Sequence, residues 1–383
     1  MSLPLLDLGA QHASVRKALD AAVARVVAHA QFVQGPEVAE FEESFAEFCE
    51  ARYCIGTSSG TSAIELVLRA AGVGPGDEVV TTPFTFMATV APIVLAGAHP
   101  VLVDVDVGTG LLQVEAVESA ITPRTAVLLP VHLYGQTVDL DRFRALADRH
   151  KLFLLEDAAQ AHGARWRARR AGSIGDASTF SFFPGKNLGA FGDAGCVTTN
   201  DESLSRRIRK LRDHGRIDKY RHDEVGTNAR LDTLQAAVLL AKLPHLDAWN
   251  EQRRRHAAAY DRAFASAVGV EPIRIAEGAL PAYHQYVVRL ADRDSARDAL
   301  AKQGISTGVH YPVPLNRQPA LEGLVSGGFP AAESLAREVL SLPVFPELSD
   351  EQRDSVSRGV TAFSKRGVGN ACSSTVAHPS SFS

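Results

Sequence analysis

The chain has 383 residues and a formal net charge of -4, with 45% hydrophobic and 22% charged residues. This length is enough for two domains, or for one large α/β domain with an appendage, and the composition is that of an ordinary soluble globular protein. The acidic balance and the lack of any basic run argue against a nucleic-acid-binding protein.

The cysteines and the N-terminal residues bear on where the protein acts. Cys49, Cys54, Cys196 and Cys372 have no CxxC spacing, which predicts free thiols in a reducing cytoplasm rather than a metal site or a disulfide framework. The first residues, MSLPLLDLGAQH, lack a basic start followed by an apolar run, which argues against secretion. The most apolar stretches, such as AVLLPVHL, are too short to span a bilayer. We therefore expect a cytoplasmic protein that binds no metal and no membrane.

The first 200 residues predict alternating helices and strands. Apolar residues have helical spacing over residues 12 to 30, and a second amphipathic helix is predicted from Glu37 to Glu50. Strand-like runs follow at Tyr53–Ile55, Glu78–Thr81, Val101–Asp104, Ala126–Val131, Leu152–Glu156, Thr179–Phe182 and Cys196–Thr199. Helix-like segments separate them at Thr61–Ala71, Ala88–Ala96, Val114–Ala120, Asp139–His150 and Glu202–His214. This alternation predicts a mostly parallel sheet with both faces covered.

The pattern changes after about Gly226. Residues 231 to 250 predict a long helix with a kink at Pro244, continuing through residues 251 to 264. A strand-like HQYVVRL and a Pro-punctuated GVHYPVPLNRQP follow. We predict a large α/β domain over residues 1–240 with N-terminal helices, a smaller α+β domain over 241–366, and a disordered tail over 367–383, which is small, polar and aperiodic.

The stretch GTSSGTSAIELVL, residues 56 to 68, predicts a strand that feeds a turn and then a helix. Unpaired N–H groups at a helix N-terminus, with hydroxyls beside them, form an anion site of phosphate size. The stretch matches neither the Walker loop nor GxGxxG. The alternative is an ordinary capped helix with Ser59 or Thr61 as the N-cap.

In LFLLEDAAQAHGA, residues 152 to 164, Asp157 follows a buried strand. Open α/β sheets present ligand-contacting residues at this end of their strands, although an aspartate there also commonly caps the next turn. Gln160 adds polar reach on the same loop. His162 is interpreted as a packing histidine.

In SFFPGKNLGAFGDAG, residues 181 to 195, one lysine lies between two glycine-containing turns. An apolar setting disfavours the ammonium form of Lys186 and frees its amine as a nucleophile. Such lysines form Schiff bases with carbonyls, including the aldehyde of pyridoxal phosphate. The alternative is a solvated lysine on a surface loop.

Together these motifs supply what pyridoxal phosphate needs. Gly60 and Thr61 would form the phosphate site, Lys186 the amine and Asp157 the partner of the pyridine nitrogen. Phe86, in PFTFMAT, would stack on the ring. A carboxylate beside that nitrogen keeps it protonated, which makes the ring an electron sink.

At this point the chain resembles the DegT–StrS family of nucleotide-sugar aminotransferases. The resemblance runs from Leu5 to about Phe363 and rests on the motifs GTSSGT, TTPFTFMAT, PVHLYGQTVDL, EDAAQAHGA, FSFFPGKNLGAFGDAG, GTNARLDTLQAA and HYPVPL–SLPVFPELSDEQ. It implies the aspartate-aminotransferase fold, which is the fold type I of enzymes that use pyridoxal 5'-phosphate, and a homodimer.

The resemblance also implies roles for individual residues. Lys186 matches the lysine that binds the cofactor covalently and shuttles a proton. Asp157 matches the partner of the pyridine nitrogen, Gln160 a residue near the phenolic oxygen of the cofactor, and Phe86 the stacking aromatic.

The phosphate contacts implied by the resemblance are Gly60, Thr61 and Ser181. Asn228, in GTNARL, matches an asparagine that reaches the phosphate from the neighbouring subunit, which makes the expected active site composite. From the residues alone, Asn228 would be an ordinary turn asparagine.

The substrate is implied by the sequence after Asn228. RLDTLQAA resembles the branch that acts on 3-keto-6-deoxy sugars carried on dTDP or UDP, and the preceding KYRHDEVG, with Lys219 and Tyr220, suits the same group. His310 and Tyr311 match sugar or cofactor contacts, or else form a packed turn before the next proline. Several relatives carry tyrosine where this chain has Phe183.

We therefore expect a transaminase that moves an amino group from L-glutamate to the C3 ketone of a dTDP-3-keto-6-deoxyhexose. The alternatives are a 4-keto nucleotide-sugar or cyclitol transaminase of the same fold and a non-catalytic regulator that binds pyridoxal phosphate. Deoxygenating relatives carry histidine in place of the lysine, so Lys186 argues against that chemistry.

Overall fold

A computed structural model describes the backbone of residues 2–373 and the side chains of residues 2–365. The helices are α1 (Leu8–Ser14), α2 (Arg16–His29), α3 (Pro36–Cys49), α4 (Gly60–Ala70), α5 (Ala91–Leu95), α6 (Val114–Ser119), α7 (Leu140–His150), α8 (Glu202–Leu211), α9 (Thr233–Lys242), α10 (Leu246–Phe264), α11 (Arg293–Ala301), α12 (Pro330–Glu338) and α13 (Asp350–Ser373). The strands are β1 (Tyr53–Thr57), β2 (Glu78–Thr81), β3 (His99–Leu102), β4 (Thr125–Leu128), β5 (Phe153–Asp157), β6 (Arg165–Trp166), β7 (Arg169–Arg170), β8 (Ala177–Ser181), β9 (Gly195–Thr199), β10 (Glu271–Pro272), β11 (Ala279–Leu280), β12 (Tyr286–Arg289) and β13 (Val339–Leu342).

The central sheet has seven strands in the order β1-β9-β8-β5-β4-β2-β3. Strands β3, β2, β4, β5 and β8 pair in parallel, which confirms the mostly parallel sheet. The exception is β9, which is antiparallel to both of its neighbours. The chain returns from β8 to β9 through the loop of residues 182–194 without a crossover helix, so the direction must reverse.

Adjacent residues of a strand point to opposite faces of a sheet, and helices pack on both faces of this one. In β9, Cys196 enters an apolar core with Phe41 of α3. The next residue, Val197, enters a different core with Ile64 of α4 and Ile208 of α8. The large α/β layer arrangement expected from the sequence is confirmed.

A second apolar core lies around a three-stranded sheet of order β10-β12-β13. Tyr260 from α10, Val288 from β12 and Val356 from α13 lie in this core. Leu3 joins them from the other end of the chain, and its N–H donates to the Gly304 carbonyl at 2.7 Å. The N-terminal segment therefore packs against the core around this three-stranded sheet.

The predicted kink at Pro244 is confirmed, because a 3₁₀ turn over Leu243–His245 separates α9 from α10. The domain boundary at 240/241 stays a prediction, although it falls close to this turn. The last helix, α13, continues to Ser373 and so includes the first residues of the tail for which disorder is predicted. The rest of that tail, residues 374–383, lies outside the described residues.

Across the described helices, none combines the length and the apolar character that crossing a membrane requires.

Candidate active site

A cavity of about 480 Å³ opens at the carboxyl ends of the central strands. Strands β1 and β8 both run antiparallel to β9, so β1, β5 and β8 point in one direction. Their ends therefore meet at one edge, where α/β sheets bind ligands. The predicted site residues that line the cavity are Gly60, Thr61, Phe86, Asp157, Gln160, Ser181, Lys186, His310 and Tyr311.

Lys186 lies in the loop that leaves β8, where its N–H closes a turn onto the Phe183 carbonyl at 2.8 Å. Its side chain lines the cavity, so Lys186 is not a solvated lysine on a surface loop. Withdrawal from bulk water lowers the pKa of the Lys186 amine to about 8, although the Asp157 carboxylate opposes this shift. About a tenth of the amine is therefore neutral and nucleophilic at pH 7, far more than for a solvated lysine.

Asp157 ends β5, and hydrogen bonds fix both of its carboxylate oxygens. The Thr89 hydroxyl donates to Oδ2 at 2.7 Å, and the Ala159 N–H donates to Oδ1 at 3.1 Å. The single hydroxyl proton of Thr89 is used in the bond to Asp157. The Thr85 hydroxyl, whose oxygen lies 2.8 Å from that of Thr89, must therefore be the donor to Thr89. The sequence motifs did not single out Thr89, although it stands in TTPFTFMAT three residues after Phe86.

The start of α4 is both a capped helix and part of the cavity wall. Ser59 is the N-cap, and it exchanges hydrogen bonds with Ser62 in a capping box. The N–H groups of Gly60 and Thr61 lie in the first turn, where a helix leaves its donors unpaired, and both residues line the cavity. A Cβ on Gly60 would lie 2.8 Å from the Ser181 Cβ, so only glycine lets β8 approach this closely.

The segment with His310 and Tyr311 closes the cavity from the second unit. The Gln160 amide accepts a hydrogen bond from the Tyr134 N–H at 2.7 Å and donates one to the Tyr311 hydroxyl at 3.1 Å. The Tyr134 hydroxyl donates to the His310 carbonyl at 2.6 Å. Tyr311 also faces Phe86, with ring centroids 5.8 Å apart. The turn is therefore packed and lines the site at the same time.

Three predicted residues do not reach the cavity of their own chain. Asn228 pairs with Asp213 in an isolated antiparallel bridge. Lys219 and Tyr220 lie at a surface turn, and Tyr220 is 80% exposed. The resemblance places Asn228 in the neighbouring subunit's site, so its role and those of Lys219 and Tyr220 stay predictions.

His162 packs as expected, with its ring 5.4 Å and 5.6 Å from those of Phe180 and Phe182. Burial lowers its pKa to about 3, so it is neutral. Sequence reasoning missed several residues that line the cavity, namely Leu5, Leu6, Thr89, Asp193, Arg253 and His284. Most of these come from distant parts of the chain, and no local pattern marks them.

The cavity fits pyridoxal phosphate. The first-turn N–H groups of α4 suit a phosphate, the anchored Asp157 carboxylate suits a pyridine nitrogen, and the amine of Lys186 suits an aldehyde. The cavity volume is within the range of cofactor sites. When bound, this cofactor supplies an electron sink for amino-acid chemistry.

A model of the DegT/DnrJ/EryC1/StrS aminotransferase family matches residues 13–361. The chain belongs to this family. It is an aminotransferase, and its cofactor is pyridoxal 5'-phosphate, as the resemblance in the sequence had indicated.

Two relatives of known name are similar over most of their length. The chain is 46% identical over 366 residues to dTDP-3-amino-3,4,6-trideoxy-alpha-D-glucose transaminase from Streptomyces venezuelae, covering 95% of this chain and 97% of the relative. It is 48% identical over 358 residues to the erythromycin biosynthesis sensory transduction protein EryC1 of Saccharopolyspora erythraea, covering 93% of this chain and 98% of the relative.

Solved structures agree with the fold. The chain superposes on S. venezuelae DesV in complex with a ketimine intermediate with a TM-score of 0.94 at 46% identity, covering 95% of this chain and 99% of that one. The chain also superposes on NtdA from Bacillus subtilis with bound cofactor PMP, with a TM-score of 0.88 at 30% identity. This match covers 95% of this chain and 85% of the NtdA chain. These similarities confirm the fold expected of an aspartate-aminotransferase-like enzyme.

Proposed function

We propose that this aminotransferase moves an amino group from L-glutamate to the C3 ketone of a dTDP-3-keto-6-deoxyhexose. The observation that carries the proposal is the cavity in which Lys186 and Asp157 lie together, in a chain 46% identical to an enzyme named for a dTDP-3-amino sugar. A 4-keto sugar or cyclitol acceptor is the alternative within the same fold.

In this proposal the Lys186 Nζ takes the proton from the α-carbon of glutamate and later delivers a proton to C3 of the sugar. The pKa of this amine, about 8 in the cofactor-free enzyme, is lowered towards the working pH, where general acid–base catalysis is most effective. Asp157 would hold the pyridine nitrogen of the bound cofactor, and Thr89 and Ala159 keep its carboxylate in place.

The remaining cavity residues bind and orient. Gly60, Thr61 and Ser181 would hold the phosphate of the cofactor, and Phe86 would stack on its ring. Gln160 would lie near its phenolic oxygen. His310 and Tyr311 contact the sugar or the cofactor from the second unit and keep water from the reacting carbon.

We infer that a second copy of the chain completes the site by supplying Asn228, Lys219 and Tyr220. Support comes from the surface around Asn228. Asn228 forms a β-bridge with Asp213, and the Gln34 amide donates to the Asp213 carboxylate at 2.9 Å, so the segments that contain Gln34 and Asn228 are neighbours. Large apolar side chains on these two segments are exposed, namely Phe32, Val33, Ile217 and Val225. Exposed apolar residues grouped in this way are typical of a protein interface.

We place the reaction in the cytoplasm. Cys49, Cys54 and Cys196 are buried and free in the described part of the chain, as suits a reducing compartment.

The decisive experiment has two parts. Adding L-glutamate to the purified enzyme with its cofactor should change the visible absorption of the cofactor and release the keto acid. The enzyme should then aminate a dTDP-3-keto-6-deoxy sugar. Turnover of only the corresponding 4-keto sugar would overturn the C3 assignment and leave the aminotransferase assignment intact.

A regulatory role is the second candidate, because the relative from S. erythraea is named as a sensory transduction protein. A pure sensor has no need for Lys186, Asp157 and the phosphate site together in one cavity. It would leave the absorption of the cofactor unchanged when glutamate is added, so the first part of the same experiment separates the two functions.

A further inference from the structure

A chain of buried side-chain amides lies directly behind Lys186. Asn250 of α10 donates from Nδ2 to the His162 carbonyl at 2.7 Å. Its Oδ1 accepts from the Asn187 Nδ2 at 2.8 Å, and that same nitrogen donates to the Ala282 carbonyl at 2.8 Å. Both asparagines are fully buried, so no water replaces these bonds.

These contacts fix the proton on His284. Because a backbone carbonyl only accepts, the NH₂ group of each asparagine must face its carbonyl, which orients both amides. The Asn187 Oδ1 then faces the His284 Nδ1 at 3.2 Å. Two acceptors cannot pair, so Nδ1 carries the hydrogen, and Nε2 of the neutral ring keeps a free lone pair.

The free nitrogen belongs to a ring that lines the cavity beside Lys186. The ring of His284 makes its hydrogen bond to Asn187 through Nδ1, which leaves Nε2 for a ligand. Burial, followed by the nearby charges of Lys186 and Arg253, lowers the pKa of His284 well below its usual value. The ring therefore stays neutral at working pH and offers an acceptor.

We propose that His284 Nε2 accepts a hydrogen bond from a ring hydroxyl of the acceptor sugar. This inference rests on the proposed function. Of the two substrates, only the sugar has hydroxyl groups, whereas the side chain of glutamate ends in a carboxylate, which a lone pair repels. The amino group of glutamate goes to the reacting centre at Lys186. His284 is thus a specificity residue for the second half-reaction alone.

Two variants separate the two nitrogens of His284. In His284→Asn, the short amide places an N–H near the former Nδ1, which keeps the bond to Asn187 and removes the acceptor. In His284→Gln, the longer amide places an oxygen near the former Nε2. Each variant is measured in the half-reaction with glutamate, the half-reaction with the sugar, and thermal unfolding.

We expect H284N to raise the KM for the nucleotide sugar about tenfold, the usual effect of one lost hydrogen bond to a neutral group. The half-reaction with glutamate and the unfolding midpoint should stay close to wild type. H284Q should recover part of the loss. Equal losses in both half-reactions, or a KM for the sugar that H284N leaves unchanged, would overturn the proposal.

Sugar analogues provide a direct check on binding. Wild-type enzyme should bind an aminated product that lacks one hydroxyl next to C3 about tenfold more weakly than the full product, whereas H284N should bind the two equally. Binding of dTDP alone should be the same in both proteins. If wild-type enzyme aminates no 3-keto sugar, the proposed function fails, and that result is independent of the comparison between variants.

Discussion

Two lysines in the described part of the chain have a lowered pKa, but only one lines the cavity. Burial lowers the pKa of both Lys186 and Lys242 to about 8. Lys242 donates to the Gly189 carbonyl at 2.6 Å, and its Nζ lies 5.1 Å from the Phe191 ring centroid. A lowered pKa thus reflects burial, and the position in the cavity is what makes Lys186 a catalytic candidate.

Lys186→Ala should abolish turnover, with a loss of at least about a thousandfold, because this variant removes both the covalent attachment of the cofactor and the proton carrier. Borohydride reduction followed by mass spectrometry would detect the attachment. Lys242→Met is the matched control and should still attach the cofactor at Lys186. Attachment that persists in the Lys186→Ala protein would contradict the assignment.

The pKa of Lys186 also predicts a pH profile. Because only the neutral amine attacks the aldehyde, the rate at which cofactor-free enzyme captures pyridoxal phosphate should rise about tenfold per pH unit below pH 8. Above the pKa of about 8 the rate should level off. Stopped-flow absorbance measures this rate. A rate that keeps rising to pH 10 would indicate an ordinary, solvated lysine.

At the scale of elements, hydrophobic periodicity predicted most helices and strands, because each element buries one face. The order of strands and the reversed direction of β9 were not predictable, since they depend on pairings between distant segments. The same limit applies to the site. Local motifs identified Asp157 and Lys186, whereas His284 and Arg253 reach the cavity only through the fold of the second unit.

The first turn of α4 gives a prediction that can be controlled with a matched variant in another helix. Ser59→Ala removes the N-cap and should lower the free energy of unfolding by about 1 kcal/mol. Because the same turn is proposed to bind the phosphate, the Kd of the cofactor should rise as well. Calorimetry and fluorescence titration would measure the two effects.

The control is Asp201→Ala in α8, where the carboxylate caps the N–H groups of Ser203 and Leu204 far from the cavity residues. This variant should lower the free energy of unfolding by a similar amount and leave the Kd of the cofactor unchanged. If both variants weaken cofactor binding equally, the effect follows from lower stability and not from the phosphate site.

For the whole molecule, a shared active site predicts complementation between two inactive proteins. Lys186→Ala lacks the reactive amine, and Asn228→Ala lacks the contact proposed to come from the second copy. Refolded together, they should form hybrid dimers that contain one intact site, and random pairing should restore about a quarter of the wild-type activity. Activity is compared with each variant refolded alone. A mixture as inactive as its components would show that Asn228 acts within its own chain.

The N-terminal segment also has a consequence for synthesis on the ribosome. Leu5 and Leu6 line the cavity, and Leu3 just before them pairs with Ile305. On the ribosome, Leu3 therefore waits for a partner about 300 residues further along the chain, which takes roughly 15 to 60 s to make at ordinary elongation rates. During that interval the nascent chain has an open cavity and an unpaired N-terminal segment. Cofactor capture is thus expected only after translation has passed Ile305.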